Sequence, residues 1–299
     1  MTSTSCNFEV QTPSRQLLIC LFVAASYIPQ LLQIATNDHA GNAGISGWYI
    51  IILTTSASTH LAARLNDIPS SEAWRCFRHG ELEGFSAFSA LVVYLQVFVH
   101  WVTAIILLAL YVAFRTKATP GNESQPYTNS PSNPAILAIV LTHAAVTLPS
   151  AFYLLKQLTK ESQFDNIFIF VLSTFYAQFL RITGLLSSLT SFIPQIYLMV
   201  TRPRDGNPDK SNLSMLCLGL QVIAFTFLAC SQGWRMRPPP PPPNPLNPDQ
   251  YPTIWGLKWW VYILFASGMA AGWLALAVSQ LVVLCVAPGL GKGGGYIQL

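Results

Sequence analysis

Charge is what this sequence has least of. Lysine, arginine, aspartate and glutamate make up 9% of its 299 residues, where an ordinary soluble domain carries about 25%. With 52% hydrophobic residues, so little charge points to lipid rather than water as the solvent. The net charge is only +4 and the basic residues are scattered among loops. No basic run offers a nucleic-acid surface, so they read as solvated groups at a membrane face. The six cysteines include no Cys-x-x-Cys pair and no mixed Cys/His cluster, which argues against a metal site. Cys20, Cys217, Cys230 and Cys285 lie in apolar runs, where a thiol acts as a small hydrophobe. No carboxylate pair and no nucleophile beside a base is evident, so an enzyme is not expected. Nor is a cofactor.

Long apolar runs are what the chain has instead. Seven stand out, at residues 17–36, 45–63, 86–114, 135–155, 177–200, 213–232 and 258–286. Each is near or above the ~20 residues a helix needs to cross a bilayer. The first lacks a small-residue cleavage site and reads as a retained span, not a signal peptide. The expectation is an all-α membrane protein with seven transmembrane helices.

Two of these runs share an unusual core. "ASYIPQLLQIAT" (24–35) and "TSFIPQIYLMVT" (190–201) both centre on Ile-Pro-Gln. Proline inside a helix removes a backbone hydrogen bond and clashes with the carbonyl four residues back. Pro29 thereby frees the carbonyl of Ala25, and Pro194 that of Thr190. The neighbouring amides, Gln30 and Gln195, can supply donors there.

The two copies keep register. Pro29 falls on Pro194 at an offset of 165, and with three extra residues in the second connector Val93-Tyr94 falls on Val261-Tyr262. This is a duplicated three-helix unit with the 135–155 helix between the copies. A directly fused triplet would be inverted; one extra helix makes the halves parallel. The chain divides into a tail (1–16), a first repeat (17–115), loops and linker helix (116–166), a second repeat (167–286) and a second tail (287–299). The second repeat's phase starts its first helix near residue 180. Residues 167–179 then form an interfacial or tilted extension, with Arg181 near a headgroup. The six consecutive prolines within 235–252 read as a stiff spacer.

A Pro-Gln near the end of a first helix, a polar connector and a small-hydrophobic-Ser start to the second resemble the PQ-loop repeat. Two such repeats around a linker are similar to the seven-helix PQ-loop family, which includes cystinosin-like exporters, vacuolar amino-acid transporters and SWEET sugar carriers. The resemblance implies a 3+1+3 arrangement and alternating access about hinges at Pro29, Gln30, Pro194 and Gln195. It implies transport of a small polar metabolite, amino acids among them, in a vacuolar or endolysosomal membrane, with the plasma membrane open. Two departures stand out. The third helix of each repeat lacks the asparagine with which SWEET carriers hold sugar, and no Asp or Glu lies inside the seven runs. The rival is a non-transporting relative acting as cargo receptor or accessory factor.

The polar residues within the runs are the candidates for a substrate pathway. Gln96 and His100 are four apart and share a helix face; Gln221 and the repeat-matched Tyr94 and Tyr262 join them. Gln280 is also polar within a run. For His60 and His143 an interhelical hydrogen bond is the favoured reading. The expected partners are the small-molecule substrate, the lipid bilayer and cytosolic sorting adaptors; self-association stays open.

Lys and Arg lean weakly towards a cytosolic amino terminus, whereas the family places it in the lumen. The family arrangement is the expectation, and it leaves the sequon at Asn122 facing the cytosol, unmodified. It also places Cys6 and Cys76 together on the oxidising side, where they form a disulfide or remain free thiols. The tail "GYIQL" resembles a Tyr-x-x-hydrophobic sorting signal carried by Tyr296 and Leu299. Tyr296→Ala is expected to shift the protein to the cell surface.

Overall fold

A computed structural model describes residues 13–36, 45–68, 74, 76, 84–115, 131–159, 167–201, 215–235 and 270–286. The regular elements among them are helical: α1 Pro13–Thr36, α2 Gly47–Asp67, α3 Gly84–Arg115, α4 Asn133–Thr159, α5 Ile167–Thr190, α6 Phe192–Thr201 and α7 Met215–Arg235. An eighth, α8, is described over Ala270–Val286. Cys6, Asn122, Tyr262, Tyr296, Leu299 and the proline run lie outside the described residues.

Polarity is arranged inside out relative to a soluble protein. Leu21, Leu141, Phe152, Phe175 and Leu216 are more than half exposed, while Gln30, Gln96, His100, Gln221 and Gln280 have no exposed surface. Apolar side chains outside and hydrogen-bonding groups inside suit a hydrocarbon solvent. Among the described residues, four stretches are long and apolar enough to cross a membrane: Ser14–Ala35, Tyr94–Phe114, Asn133–Gln157 and Val171–Val200. The described portion is therefore all-helical and membrane-embedded.

Two further described stretches, Leu216–Gln232 and Ala270–Val286, are apolar. α2 is more polar than a free-standing span, for a physical reason. It packs against α3, α4, α5 and α6, so protein rather than lipid surrounds it. Its buried Thr54, Ser56, Ser58 and His60 find bonds there. Thr54 Oγ1 donates to the Ala104 carbonyl of α3 at 3.3 Å, and the Trp101 indole donates to Ser58 Oγ at 3.0 Å. A helix wrapped by helices can be polar where a lipid-facing one cannot.

Packing separates α4 from the rest. α1 lies against α3 and α7, and α2 against α5. Val23, Tyr27, Leu53, Leu107, Phe225, Trp273 and Leu276 form one buried core from α1, α2, α3, α7 and α8. α4 touches this assembly mainly through α2 and leaves Leu137, Leu141, Phe152 and Leu155 exposed.

Two expectations are refined. Residues 167–179 continue directly into the helix: α5 runs unbroken from Ile167 to Thr190, and the chain turns at Ser191 before α6. Arg181 is not a solvated surface group. It is buried, and its Nη2 donates to both Asp67 carboxylate oxygens at 2.5 and 2.6 Å. The reason is that α2 continues past the apolar run to Asp67, putting a carboxylate within reach. A buried guanidinium is tolerated when a carboxylate shares its charge.

Candidate functional site

The seam between the first half (α1–α3) and the second (α5–α8) holds three polar layers. The first lies where α1 begins and α2 and α7 end. Gln16 Nε2 donates to Ser231 Oγ at 3.2 Å, and Gln96 Nε2 donates to Gln16 Oε1 at 2.6 Å. Arg64 donates to Gln232 Oε1 at 2.9 Å, and Asn66 Nδ2 to the Ser173 carbonyl at 2.8 Å. Apart from Gln96–Gln16, which lies within the first half, these bonds and Asp67–Arg181 tie the halves together at one end. Tyr94 is half-buried and lies near Arg64.

The middle layer is aromatic. Tyr27 Oη and His100 Nδ1 share a hydrogen bond of 2.8 Å. The His100 ring meets Trp273 at 5.0 Å and Phe225 at 5.4 Å, both edge-on. Trp273 stacks on Phe225 at 5.8 Å and on His60 at 5.7 Å. His60 Nε2 lies 3.3 Å from Ser188 Oγ, which also shares a 2.6 Å bond with Ser56 Oγ. Ser279 Oγ donates to the Ser188 carbonyl at 2.5 Å. The imidazole of His60 fits because two glycines face it. A Cβ on Gly184 would stand 3.3 Å from its Cε1, and one on Gly272 would collide with it.

The third layer is built from amides towards the start of α2. Gln221 Nε2 donates to Gln30 Oε1 at 3.1 Å, and Gln280 Nε2 donates to Tyr49 Oη at 2.9 Å. Farther out, the backbone N–H of Ser46, preceding α2, donates to Gln195 Oε1 at 2.9 Å. Both motif glutamines therefore bond across the seam. The prolines differ in setting. Pro29 lies inside an unbroken α1, whereas Pro194 is the third residue of α6. There its missing N–H costs little, because the first helical N–H groups have no intrahelical acceptor. Beside Pro29 the ladder is supplemented from across the seam, the Cys217 thiol donating to the Ser26 carbonyl at 3.0 Å.

Gln96 and His100 share a helix face but serve different layers. Gln221 joins the Gln30 motif, while Tyr94 stands at the first layer. His60, expected to make an interhelical bond, makes one to Ser188. His143 is half-buried on α4 and joins none of these bonds. Sequence reading passed over Tyr27, Tyr49, Gly184, Ser188, Phe225, Gly272 and Trp273. Their apolar or small character is indistinguishable from ordinary span composition until partners are placed.

Among the described residues, charged groups in the seam are confined to the first layer, in Arg64, Asp67 and Arg181. No group of three metal-ligating side chains occurs among them. Cys20, Cys217, Cys230 and Cys285 are free thiols, whereas Cys76 is disulfide-bonded. No family model, no curated protein and no solved structure matches this chain.

Proposed function

We propose that the chain is a membrane transporter that carries a small polar metabolite by alternating access, built from two parallel PQ-loop repeats of three helices joined by a linker helix. The observation that supports it most is reciprocity. Gln30, on the first helix of one half, bonds Gln221 on α7, while Gln195, in the matching motif, accepts from the backbone entering α2. Each motif thus reaches the second helix of the opposite half. Such crossing bonds at matched positions suit two units that rock about a shared seam. The layered seam supplies what such rocking needs: bonds between the halves at either end and a packed aromatic middle.

An endomembrane of the vacuolar or endolysosomal type is the proposed location, with adaptors reading Tyr296 and Leu299. The test is flux into proteoliposomes of the purified protein, measured for a panel of sugars, polyols and amino acids. Uptake of one class above empty vesicles is the expected result. Silence across the panel would transfer the reading to a cargo receptor or accessory protein.

A further inference from the structure

The middle layer joins the two halves through a titratable ring. Tyr27 and His100 belong to the first half, Phe225 and Trp273 to the second, and all four are buried. The His100 ring stands edge-on to Trp273 at 5.0 Å and to Phe225 at 5.4 Å. It is therefore a surface of the first half on which the second half closes.

One protonation state suits this packing. The 2.8 Å bond between Tyr27 Oη and His100 Nδ1 is the one hydrogen bond that either side chain makes among the described residues. A neutral imidazole accepts at Nδ1 from the Tyr27 hydroxyl, which leaves a single donor, Nε2–H, without a nitrogen or oxygen partner. Protonation makes Nδ1 a donor as well. Tyr27 must then accept, and its own O–H loses its acceptor, so two donors are stranded where one was.

The added charge also lacks a counter-charge. The titratable groups around the ring are Tyr27 from α1 and, across Trp273, His60 from α2. Tyr49 of α2 and Cys217 of α7 lie near Tyr27, and α7 and α8 present the rings of Phe225 and Trp273. None of these is a carboxylate. Asp67, the carboxylate of the seam among the described residues, is bonded to Arg181 in the first layer. Ring faces attract a cation, but less than the water it would leave.

We propose that His100 is an acid-operated wedge: protonation of its imidazole parts the first half from Phe225 and Trp273 and admits water to the middle layer. Water there accepts from Nε2–H and from the Tyr27 hydroxyl and solvates the charge. The open seam thus takes up a proton that the packed seam excludes, and acid favours opening. The response sets in as pH falls through about 6.5, the value of a solvated imidazole. One proton changes the ratio of open to closed by at most about tenfold per pH unit. The wedge concerns the opening of the seam and serves a carrier or a receptor alike.

The test is hydroxyl-radical footprinting of the full chain in lipid nanodiscs, read by mass spectrometry at Tyr27, Phe225 and Trp273. Labelling of the three should rise at least about threefold between about pH 7.5 and about pH 5 and fall back when the pH is restored. His100→Gln, which keeps a neutral hydrogen-bonding side chain, should hold labelling at its neutral-pH level throughout. His60→Gln should retain the rise, because His60 is bonded to Ser188 and not to Tyr27. Monodisperse elution checks folding, and His100→Asn replaces a Gln variant that fails it. Wild-type labelling unmoved by acid, a rise that does not reverse, or a rise that survives the loss of His100 would each overturn the proposal. So would a response abolished by His60→Gln. Flux into vesicles is read separately: an acid response without transport keeps the wedge and favours the receptor, whereas transport with an acid-insensitive seam keeps the carrier and removes the wedge.

Discussion

His60 occupies a slot that two glycines make for it. An imidazole in a helix interior needs both a partner and space, and here the partner is Ser188 while the space comes from Gly184 and Gly272. Gly272→Ala should destabilise the protein by about 1–3 kcal/mol, the usual cost of forcing extra volume into a packed core. Gly184→Ala, whose Cβ would meet the ring at 3.3 Å, should cost less. Thermal unfolding in detergent ranks the two. Removing the ring with His60→Ala should relieve much of the Gly272→Ala penalty, so the double variant is more stable than the two single losses predict. Equal, additive losses would mean the glycines serve some other contact. Such pairings were only half legible. The sequence shows a histidine in an apolar run, but nothing local to residue 60 announces glycines more than 120 and 210 positions away. Gln30, Gln195 and Gln221 were legible because they sit in a repeated motif or as isolated amides in apolar surroundings, where any polar atom must find a partner.

At the scale of elements, α2 shows why hydropathy alone undercounts. A run rich in Ser and Thr reads as a weak span, yet four helices shield it from lipid and its polarity is spent on neighbours. Its carboxyl end also explains Arg181. The Asp67–Arg181 pair joins the last residue of α2 to the middle of α5, a separation no local pattern exposes. Breaking one side should be costly: Asp67→Ala removes a carboxylate that two hydrogen bonds tie to a buried guanidinium and should cost about 3–5 kcal/mol. The joint replacement Asp67→Leu with Arg181→Met should be milder, since the guanidinium bonded to Asp67 leaves with its carboxylate. Detergent unfolding of both variants checks the order; a double variant worse than Asp67→Ala would refute it. The Pro-Gln helices carry a further expectation. Pro29→Leu and Pro194→Leu keep the spans apolar and should insert normally, but under the proposed alternating access transport should fall in both, because that mechanism requires the two halves to move together. Restoring the backbone N–H matters more in mid-helix, so the Pro29 variant should lose more. Normal rates in both would reduce the prolines to static kinks.

For the whole molecule, orientation follows from one helix and one cysteine. α3 contains a stretch, Tyr94–Phe114, long and apolar enough to cross the membrane. If it does, the connector before it and the connector after it lie on opposite faces. The first of these carries Cys76, which is disulfide-bonded. Disulfides persist on the oxidising side of a membrane, so the connector before α3 belongs to the lumen or exterior. Four of the six cysteines are free, and the remaining one, Cys6, is the expected mate. Non-reduced peptide mapping should recover Cys6 linked to Cys76. The connector after α3 carries Asn122-Glu-Ser and then faces the reducing side, where no oligosaccharide is transferred. This agrees with the orientation that the family resemblance implies and opposes the weak lean of the basic residues, a signal with little weight when loops carry so few charges. The expected outcome is that a peptide N-glycosidase leaves the mobility of the native protein unchanged and Asn122→Gln has no effect on it. As a positive control, a sequon engineered into the connector between α2 and α3 should acquire glycan. Glycan on Asn122, with none on the engineered site, would invert the molecule and place the Asp67–Arg181 end of the seam in the cytosol.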